Sequence, residues 1–300
     1  MKQLLGRAAT VLGVVVVALG LWALAEPRLV LETARHTVEI PGLDADQSGV
    51  EVAVLSDLQV GMWWANTGMV RRAVDEVLAE DPDLVLLPGD FLYSTEPDVQ
   101  TQVDTVLALL APLVDSGIPT LAVLGNHDHE AGGAQEIEAA LEDAGIDVLL
   151  NESVVVPVAG TGGSQEGGGE TGGLHVVGVG PSRPGLADPE KAVADVPPDA
   201  PRMVMMHNPA AFVDLPAQTG PLAVAGHTHC GQIALPFAPH SSYLGLTEEE
   251  EVVADGWAPD DHGAEGNDLF VTCGVGFSLL PVRFNAPPQV AFFELVAPGG

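Results

Sequence analysis

Gly125-Asn126-His127-Asp128 puts an amide, an imidazole and a carboxylate at three consecutive positions. Those groups can ligate a cation, move a proton or orient a neighbour. Taken alone such a cluster also fits a polar turn. What sets it apart is that other apolar runs end in the same residue types. Glu51–Ser56 leads into Asp57-Leu58-Gln59, and Asp83–Pro88 leads into Gly89-Asp90. Arg202–Met206 leads into His207, and Leu222–Ala225 leads into Gly226-His227-Thr228-His229. Asp57 and Gln59 lie two apart, as do His227 and His229, so in extended backbone each pair would face one side. Carboxylate and imidazole together suit Zn, Mn or Fe. There are more candidates than one ion needs, which points to two divalent ions sharing a carboxylate, an arrangement suited to phosphoryl displacement.

These residues need strands to carry them. The apolar runs are short, continuous and followed by helical periodicity at Gly68–Ala79, Asp98–Val114 and Gln135–Ala144. Alternating strands and helices predict parallel pairing in an α/β fold, with chemistry at strand ends. Further short strands are expected at Val148–Leu150, Val154–Val158 and Leu174–Val179, with the glycine-rich Gly160–Gly173 as a loop between the last two. Ser182–Ala200 reads as a loop with one helical turn.

The N-terminal Met1–Arg7 carries Lys2 and Arg7, and Ala8–Ala25 then runs without a charge. At ~1.5 Å per residue such a helix nearly spans a bilayer core. The basic flank predicts a single-pass anchor with the domain outside the cytoplasm. Ala23-Leu24-Ala25 also fits a signal cleavage site, the alternative being a secreted protein. The division expected is an anchor or signal over 1–25, a lead-in over 26–50 with edge strands at Leu29–Leu31 and Thr37–Ile40, and one domain over 51–300. With 300 residues and 47% hydrophobic content, that domain can bury a sizeable core. The net charge of −32, from 42 acids against 10 bases, repels polyanions and excludes non-specific nucleic-acid binding. The expected partners are a phosphoester substrate and the membrane, with the chain acting as a monomer.

The motif order resembles the calcineurin-like metallophosphoesterase family: D-x-H, G-D, G-N-H-D, a lone H, then G-H-x-H. It extends over about Glu51–Val296. Gly231-Gln232, Gly274-x-Gly276 and Pro281-x-Arg283-Phe284 resemble the membrane-anchored bacterial phosphodiesterase branch. The resemblance implies a four-layer αββα sandwich with two mixed β-sheets. It implies that Asp57, Gln59, Asp90 and His229 hold one ion, and Asp90, Asn126, His207 and His227 a second. His127 would serve the leaving oxygen, with Asp128 orienting it. The implied reaction is direct hydrolysis of a phosphodiester or pyrophosphate by a hydroxide bridging the ions, on an envelope or lipid-linked substrate. A phosphomonoesterase and an impaired metal-binding scaffold are the alternatives. Gln59 departs from the family's histidine, and its amide oxygen should weaken the first ion or bias that site toward Mn or Mg.

Other residues get blander readings. Cys230 and Cys273 read as two small buried residues rather than a bridge, which would need Cα atoms within ~7 Å. Trp63 and Trp64 fit a pocket wall or a membrane-facing patch, and ordinary core packing is the reading preferred. His129 reads as an exposed loop residue, while His36, His175, His240 and His262 read as structural or exposed. Thr247–Glu251 reads as a solvated charge run.

Overall fold

The computed structural model describes residues 2–96, 98–158, 173–235, 238–242 and 253–299. Most of the glycine-rich 160–173 stretch, the acidic 247–251 run and the His240 side chain lie outside that set. Helix α1 (Lys2–Leu29) comes first, and within it Gln3–Leu29 is long and apolar enough to cross a membrane. Strand β1 (Glu32–Glu39) follows directly. Leu29, expected in a strand, instead ends the helix, because the domain holds its last two turns in place.

One sheet runs β1–β14–β2–β3–β4–β5, with β2 (Val50–Val54), β3 (Leu84–Pro88), β4 (Thr120–Val123), β5 (Asp147–Val148) and β14 (Gln289–Val296). All its pairings are parallel except β14 against β2. Helices α2 (Thr67–Glu80), α3 (Val99–Ser116) and α5 (Ala134–Asp143) cover its outer face, and the short α4 (Asn126–Glu130) leaves the end of β4. The other sheet runs β12–β13–β9–β8–β7–β6, formed by β6 (Glu152–Val156), β7 (Leu174–Val179), β8 (Arg202–Met206), β9 (Ala223–Ala225), β12 (Gly256–Trp257) and β13 (Leu269–Val271). Its two outer pairings are antiparallel and the inner ones parallel. Helix α6 (Pro189–Val193) and a 3-10 turn over Pro209–Asp214 lie on its far face, and β10 (Ala234–Leu235) and β11 (Ala238–Ser242) form a small hairpin.

Residue parity along the strands builds the layers. Val52 and Val54 of β2 and Leu84 and Leu86 of β3 face the second sheet, meeting Met203 and Met205 of β8 and Phe293. The intervening Ala53, Leu55, Val85 and Leu87 face the helices. Val204 and Met206 of β8 pack with Phe212 on the opposite side. The predicted mixed-sheet αββα sandwich is therefore present, and both sheets are buried on two faces, which is why their strands read as unbroken apolar runs.

Three further expectations are corrected. Cys230 and Cys273 form a disulfide, with Cα atoms 4.6 Å apart. The two loops that carry them pack beside Ala286, and spacing of 43 residues in sequence gave no sign of it. Trp63 and Trp64 are 62% and 57% exposed, because they sit on the loop beyond β2, where neither helices nor the second sheet provide cover. His129 is half-buried on α4 rather than exposed in a loop.

The bridge closes a long loop, so it should restrict the unfolded chain by about 4 kcal/mol in the loop-entropy account. Reductant, or Cys230→Ser with Cys273→Ser, should lower the melting temperature by several degrees. Identical melting curves with and without reductant would show that the bond contributes nothing.

Candidate metal centre

Every predicted site residue lies just beyond a strand end, with Asn126, His127 and Asp128 on the short helix α4. Asp57, Gln59, Asp90, Asn126, Asp128, His207 and His229 are all buried. The route to convergence differs from the expectation of extended backbone. Asp57 (φ 58°), Gln59 (φ 51°), Asp90 (φ 56°), His227 (φ 74°) and His229 (φ 50°) all hold left-handed backbone. The chain thus turns sharply just beyond β2, β3 and β9, and those turns rather than pleat alternation aim the side chains. Residues held this way are stabilised by their surroundings and gather at functional sites.

His207 lies at the centre of one cluster. Its Nδ1 is 2.7 Å from the Pro88 carbonyl. A carbonyl only accepts, so Nδ1 carries the proton and Nε2 of the neutral ring is a lone pair. Around that lone pair stand Asn126 Oδ1 at 3.1 Å, His227 Nδ1 at 3.2 Å and Asp90 Oδ2 at 3.3 Å. Asn126 turns its oxygen inward because its amide nitrogen donates to Glu130 at 3.4 Å. His227 Nδ1–H could donate to that lone pair; with Nδ1 bare, four electron-rich atoms would converge in a dry site and positive charge would hold them together. A proton provides one solution: burial opposes it, but the Asp90 carboxylate prevails and pushes His207 up to about 9. Burial would raise Asp90 too, yet His207 holds it well below the usual carboxylate range. Burial and the neighbouring His207 push His227 down to about 3. A divalent cation is the other solution and engages all four atoms at once. Asp90, His207 and His227 have ligand atoms within 4.8 Å of one another. This set fits a borderline transition metal.

The Asp57, Gln59 and His229 side is looser. Asp57 is fully buried, and burial pushes its carboxyl up to about 6 against the pull of His207. It accepts the backbone N–H of His227 at 3.1 Å, and His229 Nε2 is 3.7 Å from Asp57 Oδ1. Gln59 Nε2 donates to Asp90 Oδ2 at 2.7 Å, while its Oε1 is a buried acceptor without a partner. That oxygen is available for a cation. His229 argues for ligation least. Arg283 Nη2 lies 3.2 Å from His229 Nδ1, and a guanidinium only donates. The neutral ring's proton is thereby assigned to Nε2, the nitrogen facing Asp57. Burial, then Arg283, keep His229 well below its usual pKa.

His127 is positioned by a contact the sequence did not reveal. Its Nδ1 is 3.1 Å from the Tyr93 carbonyl, and the Tyr93 ring stacks on it with centroids 4.8 Å apart. Nε2 is then the nitrogen available for substrate. Asp128, expected to orient His127, does something else. Its carboxylate accepts backbone N–H groups from Gly125 at 2.9 Å, Leu92 at 2.8 Å and Asp90 at 3.1 Å. It ties the β3 and β4 loop ends together, and burial reinforced by Asp90 pushes it up to about 7. The loops fit so closely that a Cβ on Gly125 would overlap Asp90 Oδ1, and one on Gly274 (φ 58°) would come within 2.5 Å of Asp57 Oδ2.

Arg283 and Gln232 also escaped assignment. Arg283 is fully buried and donates to the carbonyls of Gly276 at 2.7 Å and Cys273 at 2.8 Å. Gln232 Nε2 donates to Ser278 O at 2.8 Å and Leu280 O at 3.0 Å, fastening the 278–280 loop to the one bearing His227 and His229. Their only sequence signal was a place in the motifs of a similar branch.

Residues 50–231 match the family described as calcineurin-like phosphoesterase. Among curated proteins, phosphodiesterase YaeI of Escherichia coli is 29% identical over 82% of this chain and 82% of its own. UDP-2,3-diacylglucosamine pyrophosphatase LpxG of Chlamydia trachomatis is 22% identical over 90% of each chain. A bovine transmembrane protein with a metallophosphoesterase domain is 29% identical over 87% of this chain and 56% of its own.

Chelator-stripped protein should melt below protein resupplied with Mn or Zn. A gain of about 2.7 kcal/mol is expected at 100-fold excess over the dissociation constant. Asp90→Asn or His207→Ala should abolish the metal-dependent shift. An undiminished shift in either variant would remove that residue from the ligand set.

Proposed function

Because this chain belongs to the calcineurin-like phosphoesterase family, a family of metal-dependent phosphohydrolases, we propose that it hydrolyses phosphodiester or pyrophosphate bonds at a dinuclear centre facing the outside of the cell. The observation that carries this reading is the convergence of Asp90, Asn126 and His227 on the bare Nε2 of His207, with His127 on the same short helix as Asn126. Asp90, Asn126, His207 and His227 would hold the better-defined ion. Asp57, Gln59, Asp90 and His229 would hold a weaker one, with Asp90 shared. Bound divalent ions supply Lewis acidity toward the phosphoryl oxygens and an acidified water as nucleophile.

The chain's own residues do the rest. His127 keeps Nδ1–H on the Tyr93 carbonyl, which fixes the ring plane. In its protonated form Nε2 gives a proton to the departing oxygen. The backbone N–H of His127 donates to Asp90 Oδ1 at 2.9 Å, so the proton donor and the shared ligand move as one unit. Asp128 is a positioning residue for both loops.

A diester or pyrophosphate is favoured over a monoester by the relatives' names, phosphodiesterase and UDP-diacylglucosamine pyrophosphatase. The extracytoplasmic side is supported by the basic N-terminal flank and by the disulfide, which persists in oxidising compartments. The division into an anchor and one catalytic domain is part of the same proposal.

With Mn or Zn supplied, bis-para-nitrophenyl phosphate should turn over faster than para-nitrophenyl phosphate. Faster monoester turnover would make the chain a phosphomonoesterase, and none of either with metal bound would make it a scaffold. His127→Ala should lower kcat by about 10²–10⁴-fold and leave metal content unchanged by elemental analysis. Wild-type turnover in that variant would exclude His127 from the reaction.

A further inference from the structure

Helix α1 has no tether. Its residues are exposed up to Trp22, and from Ala23 onward the domain holds it. The Arg283 backbone N–H donates to Ala23 O at 3.0 Å, and the Ala286 N–H to Glu26 Oε1 at 3.0 Å. Asn66 Nδ2 donates to Pro27 O at 2.8 Å, and Arg72 Nη1 to Leu29 O at 2.8 Å. The exposed part, Gln3 to Trp22, spans roughly 30 Å at ~1.5 Å per residue, the thickness of a bilayer's hydrocarbon core. A continuous helix therefore sets where the domain sits. Trp22 marks the bilayer surface, and the face that grips Ala23 to Leu29 lies against it.

That face gathers the most exposed large apolar side chains outside α1 among the described residues of an acidic chain. Trp63, Trp64, Leu279 and Leu280 are 62%, 57%, 60% and 52% exposed. Trp64 (φ 59°) and Leu279 (φ 62°) hold left-handed backbone, which bulky residues rarely adopt. Arg28 joins the patch to α1, its guanidinium carbon 3.8 Å from the centre of the Trp64 ring and its Nη1 3.1 Å from Pro281 O. Of the 10 bases in the chain, Arg28 and Arg72 are both at the helix exit, with exposed Arg71 beside them. Aromatic rings, leucines and arginines are what the boundary between acyl chains and anionic headgroups accepts.

We propose that this face is a membrane-docking surface: Trp63, Trp64, Leu279 and Leu280 enter the headgroup–acyl boundary of the leaflet from which α1 emerges. The patch also rims the catalytic site. The Leu279 backbone N–H donates to the Tyr93 hydroxyl at 2.9 Å, and that ring stacks on His127. Trp63 lies on the loop that continues from Gln59. Docking thus holds the site mouth at the level of lipid headgroups. The substrate class it fits is a phosphoester or pyrophosphate attached to an apolar tail that stays in the bilayer. The docking rests on α1 spanning a membrane, and the substrate class rests in addition on the phosphohydrolase reading.

The test uses the full chain, one copy per nanodisc of phosphatidylcholine and phosphatidylglycerol. Environment-sensitive fluorophores are attached at Trp63→Cys, Leu12→Cys or Val155→Cys, the native cysteines being paired. Doxyl-labelled lipid should quench the label at 63 at least about threefold more than the label at 155 on edge strand β6. Trp63→Asp with Leu280→Asp should cut turnover of an acyl-chain phosphodiester in the same discs about tenfold and leave soluble bis-para-nitrophenyl phosphate turnover unchanged. A label at 63 reached only by aqueous iodide, with the label at 12 in lipid, would overturn docking while the anchor stood. An aqueous label at 12 would overturn the anchor and docking together. Cross-linking of the 63 thiol to a second copy would reassign the patch to self-association. Equal loss on both diesters would show catalytic damage and overturn the link to substrate presentation. Lack of turnover of either diester by the unsubstituted chain would sink the phosphohydrolase reading, with the quenching data still deciding docking.

Discussion

The Asp90 carboxylate organises the site, and its neighbours exist in their observed places largely to keep it ionised away from water. It takes the backbone N–H of His127, the amide of Gln59 and the edge of His207, while its own N–H goes to Asp128. A buried charge with fewer partners would neutralise or force the loops open. Those partners come from beyond the ends of β2, β4 and β8, while β3 delivers Asp90 itself. Holding one carboxylate therefore fixes the relative position of both sheets at the site.

This constraint explains why the local backbone is unusual. Asp57, Gln59, His227 and His229 each reach the centre from a strand that would otherwise run past it. A left-handed residue at the strand end turns the chain inward within a single step. The turn leaves so little room that Gly125 and Gly274 must lack side chains. Three buried carboxyl groups, Asp57, Asp90 and Asp128, are then gathered within two sheets' width, offset by Arg283 and by whatever positive charge His207 shares. The excess of acceptors on the His207 side, compared with the Arg283-capped His229, makes the two halves of the centre unequal before Gln59 is considered.

The strand ends were legible because each apolar run stops at a ligand-type residue. Which face each residue takes was not legible, because Val52, Ala53, Val54 and Leu55 are all apolar. The inward aim was not legible, since no side-chain pattern signals a left-handed Asp or His. The resemblance implied that Asp128 orients His127, but on α4 consecutive residues diverge, and its carboxylate turns back to backbone N–H groups. Tyr93 was silent because it acts through its carbonyl and ring face. The pairing of Cys230 with Cys273, and the exposure of Trp63 and Trp64, depend on how loops from distant strands pack. Composition and periodicity contain no information about that.

Arg283 joins the two halves of this molecule. Its backbone N–H bonds the apolar helix α1 at Ala23 O, while its guanidinium reaches the His229 ring. Glu26, three residues further along the helix, is buried and accepts both the Trp22 indole N–H at 2.6 Å and the Ala286 N–H. Cleavage after Ala25 would delete the Ala23 carbonyl and Trp22. It would also create a charged terminus beside a carboxylate that is now buried. The loop from Cys273 to Ala286 would lose part of its footing, and that loop lies against Asp57 and His229. These contacts are ones that a retained helix keeps and a removed signal loses. They make α1 part of the domain's framework, joined through buried Arg283 to the loops that carry Asp57 and His229.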